Sequence, residues 1–152
     1  MNLSPQNQRI LIVDDTVKNL QVLGTILENE GYQINVAQNG TQALEITSKV
    51  QPDLVLLDVM MPDLDGFEVC QRLKADASVA HIPIIFLTAR TETADLVKGF
   101  AQGAVDYVTK PFNATELLVR VRTHLSIHYL QSALRKSLDD NARMQREHEA
   151  FL

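Results

Sequence analysis

The stretch "DLVLLDVMMPDLDG", Asp53 to Gly66, runs an apolar segment straight into a carboxylate. Leu54-Val55-Leu56-Leu57 reads as a buried strand, because a strand with one wet face would alternate apolar and polar residues. Asp58 closes that run. An ionised carboxylate at the edge of an apolar core is costly unless something compensates it. Asp58 is therefore either a strand-end residue pointing into water or a group whose partners come from elsewhere in the chain.

Outward from this stretch the pattern repeats. "RILIVD" (Arg9–Asp14) predicts a strand buried on both faces. Leu20, Leu23 and Leu27 then share one face of a helix that Gly31 stops in the C′ position. "YQINVA" predicts a second, weaker strand, and the turn signal Asn39-Gly40 precedes a helix carrying Ala43, Leu44 and Ile46. "DLVLLD" is the third strand, and Gly66 precedes a third helix through Phe67, Cys70 and Leu73. "IPIIFLT" is the fourth strand, with Pro83 tolerable near its start. A fourth helix through Leu96, Val97 and Phe100 ends near Gly103, "VDYVT" is the fifth strand, and Lys110-Pro111 leads into a fifth helix. Such strand–helix units in series imply a parallel sheet with helices on both faces and right-handed crossovers.

The bulk properties agree with this α/β reading. A chain of 152 residues, 45% hydrophobic and 22% charged, suits one globular domain with an added element. A net charge of -5 argues against a nucleic-acid-binding surface. No apolar stretch has the length of a membrane span, and the polar start "MNLSPQNQRI" lacks the core of a secretory signal, so a cytoplasmic location is expected. The one cysteine, Cys70, excludes an internal disulfide and is expected to pack within its helix. His81, His124, His128 and His148 show no ligand spacing and are expected in surface or helix roles.

In sheets of this kind the functional crevice lies outside the carboxyl ends of the strands. The residues that finish strands are Asp14, Asp15, Asp58, Thr88 and Lys110. Three carboxylates side by side raise one another's pKa. A hard divalent cation resolves that conflict, and magnesium favours one or two carboxylates plus phosphate oxygens. Asp14 or Asp15, together with Asp58, fits that role, and a carbonyl of the following loop is a further candidate ligand. Asp58 can then act as a nucleophile toward phosphorus. Lys110 would supply a cation and Thr88 a hydroxyl donor for the oxygens of the transferred group.

At these residues the chain resembles the response-regulator receiver family of two-component signalling, the CheY-like superfamily. The resemblance runs from about Arg9 to His124 and rests on "LIVDD", "LLDVMMPDLDG", "FLTA" and "DYVTKPF" in that order. It implies a flavodoxin-like, doubly wound five-stranded parallel sheet in the order 2-1-3-4-5. It also implies phosphorylation of Asp58 by a histidine kinase or phosphotransfer protein. Magnesium would be held by Asp15, Asp58 and the Met60 carbonyl, with Asp14 assisting. The chain would then be a signalling phosphoacceptor and not an enzyme acting on other substrates.

The resemblance further implies that Thr88 would be drawn toward the phosphoryl group and that Tyr107, otherwise a plain core aromatic, would rotate into the space it leaves. That motion would remodel the face made by the fourth helix, fifth strand and fifth helix. The Lys110-Pro111 peptide is expected to be cis. By the same resemblance, Met60 and Arg90, two residues beyond Asp58 and Thr88, would line the path of the hydrolytic water. Met offers no strong hydrogen bond to orient that water, so slow self-dephosphorylation is expected. Asp63 and Asp65 are expected to build the loop before the third helix.

Two other readings use a related architecture. A phosphohydrolase of the haloacid-dehalogenase type also forms an aspartyl phosphate but needs an Asp where Met60 stands. A nucleotide or flavin module needs a Gly-rich loop where "VDDTVKN" follows the first strand.

From Asn113 to Leu152 there is no Gly or Pro, and Asn113 with Glu116 resembles a capping box. Such a helix would be roughly 57 Å long at about 1.5 Å per residue. A heptad reading places Ile127, Leu134, Asn141 and His148 at a, and Leu130, Ser137, Met144 and Phe151 at d, which suits a homodimeric coiled coil. The expected organisation is an N-terminal tail at 1–8, a receiver at 9–124 and a helical extension at 125–152, a transmitter helix that either leads to a downstream output domain or acts as the output itself.

Overall fold

A computed structural model describes residues 4–89, 97 and 100–150 of the chain, residues 148–150 by backbone alone. Five strands, β1 (Arg9–Val13), β2 (Gln33–Ala37), β3 (Leu54–Asp58), β4 (Ile84–Ala89) and β5 (Asp106–Lys110), form one sheet. All neighbours are parallel and the order is β2-β1-β3-β4-β5, the flavodoxin-like order expected. The helices are α1 (Val17–Asn29), α2 (Gly40–Val50), α3 (Gly66–Ala75) and a long C-terminal α4 (Ala114–Ala150). Of the helix expected through Leu96, Val97 and Phe100, Val97 and Phe100 are helical, and Leu96 lies outside the described residues.

The period-two geometry of the strands divides the core into two layers. Leu11, Val13, Val55, Leu57, Ile84 and Phe86 face α2 and α3, meeting Ala43, Val69, Cys70 and Leu73. Ile10, Ile12, Leu54, Leu56, Ile85 and Leu87 face the other way, meeting Leu20, Leu23 and Leu27 of α1 and Leu117, Val121 and Leu125 of α4. Each fully buried Leu, Ile or Phe stabilises the fold by about 1.5–3 kcal/mol. Both faces being covered explains why these strands read as unbroken apolar runs.

The ends of the helices follow local chemistry. Gly31, at φ +98°, terminates α1, and its N–H donates to the Glu28 carbonyl at 2.9 Å. Asn39 does more than mark a turn: its side chain accepts from the Gln42 N–H at 2.9 Å and caps α2. Helix α2 ends on Gln51, a left-handed residue at φ +54° where glycine is the usual choice. Strand β4 opens at Ile84, one residue beyond Pro83, which has no N–H to give a ladder.

The strand register sets the functional edge. Val13 lies level with Leu57, Asp58 with Leu87, and Thr88 with Thr109. The residues that follow or close these strands therefore emerge side by side. Helix α3 begins directly behind that edge: a Cβ on Gly66 would lie 2.4 Å from the Asp58 carbonyl oxygen and 2.9 Å from Val59 Cα. Gly66→Ala is accordingly expected to lower the unfolding free energy by about 1–3 kcal/mol in urea denaturation. Gly24→Ala, where a Cβ would meet nothing within 4 Å, is expected to be neutral or stabilising.

Candidate functional site

Four of the residues singled out in the sequence meet at the carboxyl edge of the sheet. Asp14 is fully buried; its Oδ1 accepts from the Thr16 N–H at 2.9 Å and its Oδ2 from Asn19 Nδ2 at 3.2 Å. Asp58 is 2% exposed, a burial that excludes the reading of a strand end pointing into water. Lys110, the last residue of β5, sets its Nζ 3.2 Å from Asp58 Oδ1 and 3.6 Å from Asp14 Oδ2. The Met60 N–H makes a long contact of 3.4 Å to the same Asp58 oxygen. Asp15 is exposed beside them, and one carboxylate oxygen from each of Asp14, Asp15 and Asp58 lies within 4.8 Å of the others. The Lys110–Pro111 peptide is cis.

Burial sets the electrostatics of this group. Desolvation, followed by the charge of Asp14, pushes the Asp58 carboxyl up to about 6, against the pull of Lys110 and of the Met60 N–H. For Lys110, burial works to lower the pKa, but the attraction of Asp58 and Asp14 prevails and the net shift is upward. Three carboxylates facing one ammonium leave an excess of negative charge on oxygen donors. That donor set fits a hard divalent cation of the magnesium type.

Of the remaining predicted residues, Thr88 lies on this edge, one residue before the end of β4. Thr88 is buried and its Oγ1 donates to the Ala89 carbonyl at 3.3 Å. Tyr107 is half-buried, edge-on to Phe100 with ring centroids 6.1 Å apart, and the Arg120 guanidinium lies 5.4 Å from its ring centre. Arg120 also pairs with Asp106 and with Glu116, so the Glu116 carboxylate turns forward along α4 while Asn113 accepts its N–H at 3.0 Å. Met60 is exposed, and Arg90 lies outside the described residues. Cys70 is buried, and that burial pushes its thiol up to about 11. His81 and His128 stack at 5.6 Å, and His124 pairs with Asp106 at 2.9 Å.

Sequence reasoning missed one residue that shapes the site and another, at the far end of β5, that ties down the face beside Tyr107. Asn19 orients Asp14 from the first turn of α1, and Asp106 gathers the Tyr107 N–H, Arg120 and His124 at the start of β5. A polar residue on the wet side of a helix or strand carries no pattern that announces such a partner.

Comparison with known proteins shows the family and the fold. The chain belongs to the response regulator receiver domain family, which its residues 10–122 match. It is 46% identical over 123 residues to the DNA-binding response regulator MtrA of Mycobacterium bovis, covering 81% of this chain and 53% of MtrA. It is 39% identical over 136 residues to the response regulator PleD of Caulobacter vibrioides, covering 90% of this chain and 30% of PleD. Among solved structures, the chemotaxis protein CheY4 of Vibrio cholerae superposes with a TM-score of 0.73 at 31% identity, over 76% of this chain and 97% of CheY4. The chain thus spans about half the length of MtrA and less of PleD.

The raised Asp58 pKa has a consequence for stability. The folded value of about 6 lies above the ordinary 3.8, so the folded state holds this proton more tightly than the unfolded chain. The associated stability is complete below about pH 4 and is lost as the pH rises through about 6. In urea denaturation without metal, Asp58→Asn is therefore expected to be more stable than the parent at neutral pH, by on the order of 1–3 kcal/mol. The two should converge below about pH 4.

Proposed function

We propose that this chain is a phosphorylation-controlled receiver that accepts a phosphoryl group on Asp58 from a histidine kinase or phosphotransfer protein. The observation that supports this most is the Lys110 ammonium beside a buried Asp58, with Asp14 as neighbour. A carboxylate oxygen of Asp58 attacks phosphorus in line, the phosphorus–nitrogen bond to the donor imidazole breaks, and its electron pair leaves with the imidazole. Asp14, Asp15, Asp58 and the Met60 carbonyl would hold magnesium, which when bound neutralises the carboxylates and the phosphoryl oxygens. Lys110 bears on an oxygen of the transferred group, and the Thr88 hydroxyl turns to donate to another.

The switch then passes to the outer face. Movement of Thr88 opens space for Tyr107, whose ring now packs against Phe100 and Arg120. Phosphorylation shifts the balance between two packings only through its unequal interaction with them. Residues 9–124 would carry this receiver function, and residues 125–152 would transmit it to a downstream output domain. The receiver part would catalyse only its own phosphorylation and, with Met60 and Arg90 flanking the water path, a slow dephosphorylation. MtrA is a DNA-binding response regulator; the net charge of -5 here supports a chain that does not itself contact nucleic acid. Among the described residues no helix is long and apolar enough to cross a membrane; a receiver served by a histidine kinase would work in the cytoplasm.

The C-terminal helix supports a second element of the proposal, a homodimer. Leu130, Leu134, Leu138 and Met144 project from α4 with roughly 60% of each exposed. Leu134 and Asn141 at a, and Leu130 and Met144 at d, fit the seam of a two-stranded coiled coil, with Leu138 flanking it at e.

With acetyl phosphate and magnesium, the protein is expected to take up one phosphoryl group per chain on Asp58, and Asp58→Asn none. Rapid turnover of many phosphoesters without accumulation of label would favour a phosphohydrolase. In light scattering at high concentration a dimer is expected, and the pair Leu130→Asp, Leu134→Asp should give a monomer with little change in thermal stability. A monomeric parent protein would remove the coiled coil.

A further inference from the structure

The segment from Val59 to Asp65 links the phosphoacceptor strand to α3 and carries Met60. Both ends of the segment are tied down. The Gly66 N–H donates to the Val59 carbonyl at 2.8 Å, and Asp65 caps α3 through the Glu68 N–H at 2.8 Å. Within the segment Asp63 reaches across to the start of α2. Its Oδ1 accepts from the Gly40 N–H at 3.1 Å, and its Oδ2 accepts from the Thr41 N–H at 3.1 Å and the Thr41 hydroxyl at 3.0 Å.

Both carboxylate oxygens are therefore engaged, which fixes the orientation of the group as well as its place. The favourable field of a helix N-terminus adds to this. Donation from the Leu64 N–H, then from Gly40 and Thr41, holds the Asp63 carboxyl well below the usual range, so it is ionised throughout the working pH. A second observation is independent of these bonds. A Cβ on Gly40 would lie 2.6 Å from Leu64 Cβ, 2.9 Å from Val69 Cγ2 and 3.0 Å from the Leu64 carbonyl oxygen, so the start of α2 packs directly on Leu64 with no room for a side chain.

We infer that Asp63 is a positioning residue for magnesium: by pinning the loop to the first turn of α2 it holds the Met60 carbonyl where the ion needs it. The inference rests on the receiver reading above, in which that carbonyl is a ligand. Magnesium demands near-ideal octahedral geometry, so a carbonyl on a loosened loop would lose affinity in proportion to its wandering. Asp63 touches neither the ion nor the phosphoryl group in this scheme; it acts through the loop.

The test compares the full chain with Asp63→Ala, Asp63→Asn and Asn39→Ala. Asn39→Ala weakens the same helix end by removing the other cap, on the Gln42 N–H. Magnesium binding is followed by calorimetry, and acetyl phosphate labelling is measured as a function of magnesium. Asp63→Ala is expected to raise the magnesium midpoint about fivefold or more, as losses of ligand support generally do. Its labelling rate at saturating magnesium should stay within about twofold of the parent, because the loop then pays only in affinity. Asp63→Asn, keeping one acceptor oxygen, should fall between. Asn39→Ala should lower the melting temperature without moving the midpoint. An unchanged midpoint in Asp63→Ala, or an equal shift in Asn39→Ala, would overturn the inference while the receiver reading stands. A parent protein that neither binds magnesium nor takes label would overturn both.

Discussion

Two buried carboxylates lean on one ammonium. Asp14 and Asp58 are almost without solvent, and Lys110 is the cation the structure sets against both, at 3.6 and 3.2 Å. Removing a carboxylate from water carries an effective penalty of several kcal/mol unless partners compensate it. Here compensation is partial: Asp14 has its own hydrogen bonds from Thr16 and Asn19, whereas Asp58 has Lys110 and one long backbone contact. The deficit appears as the raised Asp58 pKa. A site left short of positive charge in this way is prepared to gain from a divalent cation and an incoming phosphoryl group.

The fold exists around that edge in a literal sense. Parallel pairing brings the ends of β1 and β3 within one residue of each other, with β4 and β5 running two residues beyond Asp58, and the two apolar layers clamp the sheet from both sides. The loops leaving the edge are drawn in tightly by glycine. At Gly66 the chain passes the Asp58 carbonyl, and at Gly40 it passes Leu64, each at distances a side chain would forbid. The long α4 is different in kind: its first turns belong to the core through Leu117, Val121 and Leu125, and beyond Tyr129 it is mostly exposed.

Most of the architecture was legible because its physics is local. Uninterrupted Leu, Ile and Val runs are what a sheet covered on both faces requires, and Gly31 marks the end of α1 by its own backbone preference. The strand order came from resemblance and not from periodicity. What stayed hidden was either conformationally atypical or distant in sequence. Gln51 ends α2 in the left-handed region without the glycine that would have announced it. Asp63 reads as a turn residue, and its hold on Gly40 and Thr41 spans more than twenty positions along the chain. Asp106 likewise showed nothing of its links to Arg120 and His124. Placing Asp14, Asp58 and Lys110 at strand ends was enough to suggest a meeting point; the burial of the two carboxylates needed the packed structure.

The most direct measurement is the titration of the Asp58 carboxyl carbon by 13C NMR in metal-free protein and again with saturating magnesium. A midpoint near 6 without metal, displaced downward when magnesium is present, is the result that a buried, undercompensated carboxylate at a cation site requires. A midpoint in the ordinary carboxylate range, unmoved by magnesium, would contradict it.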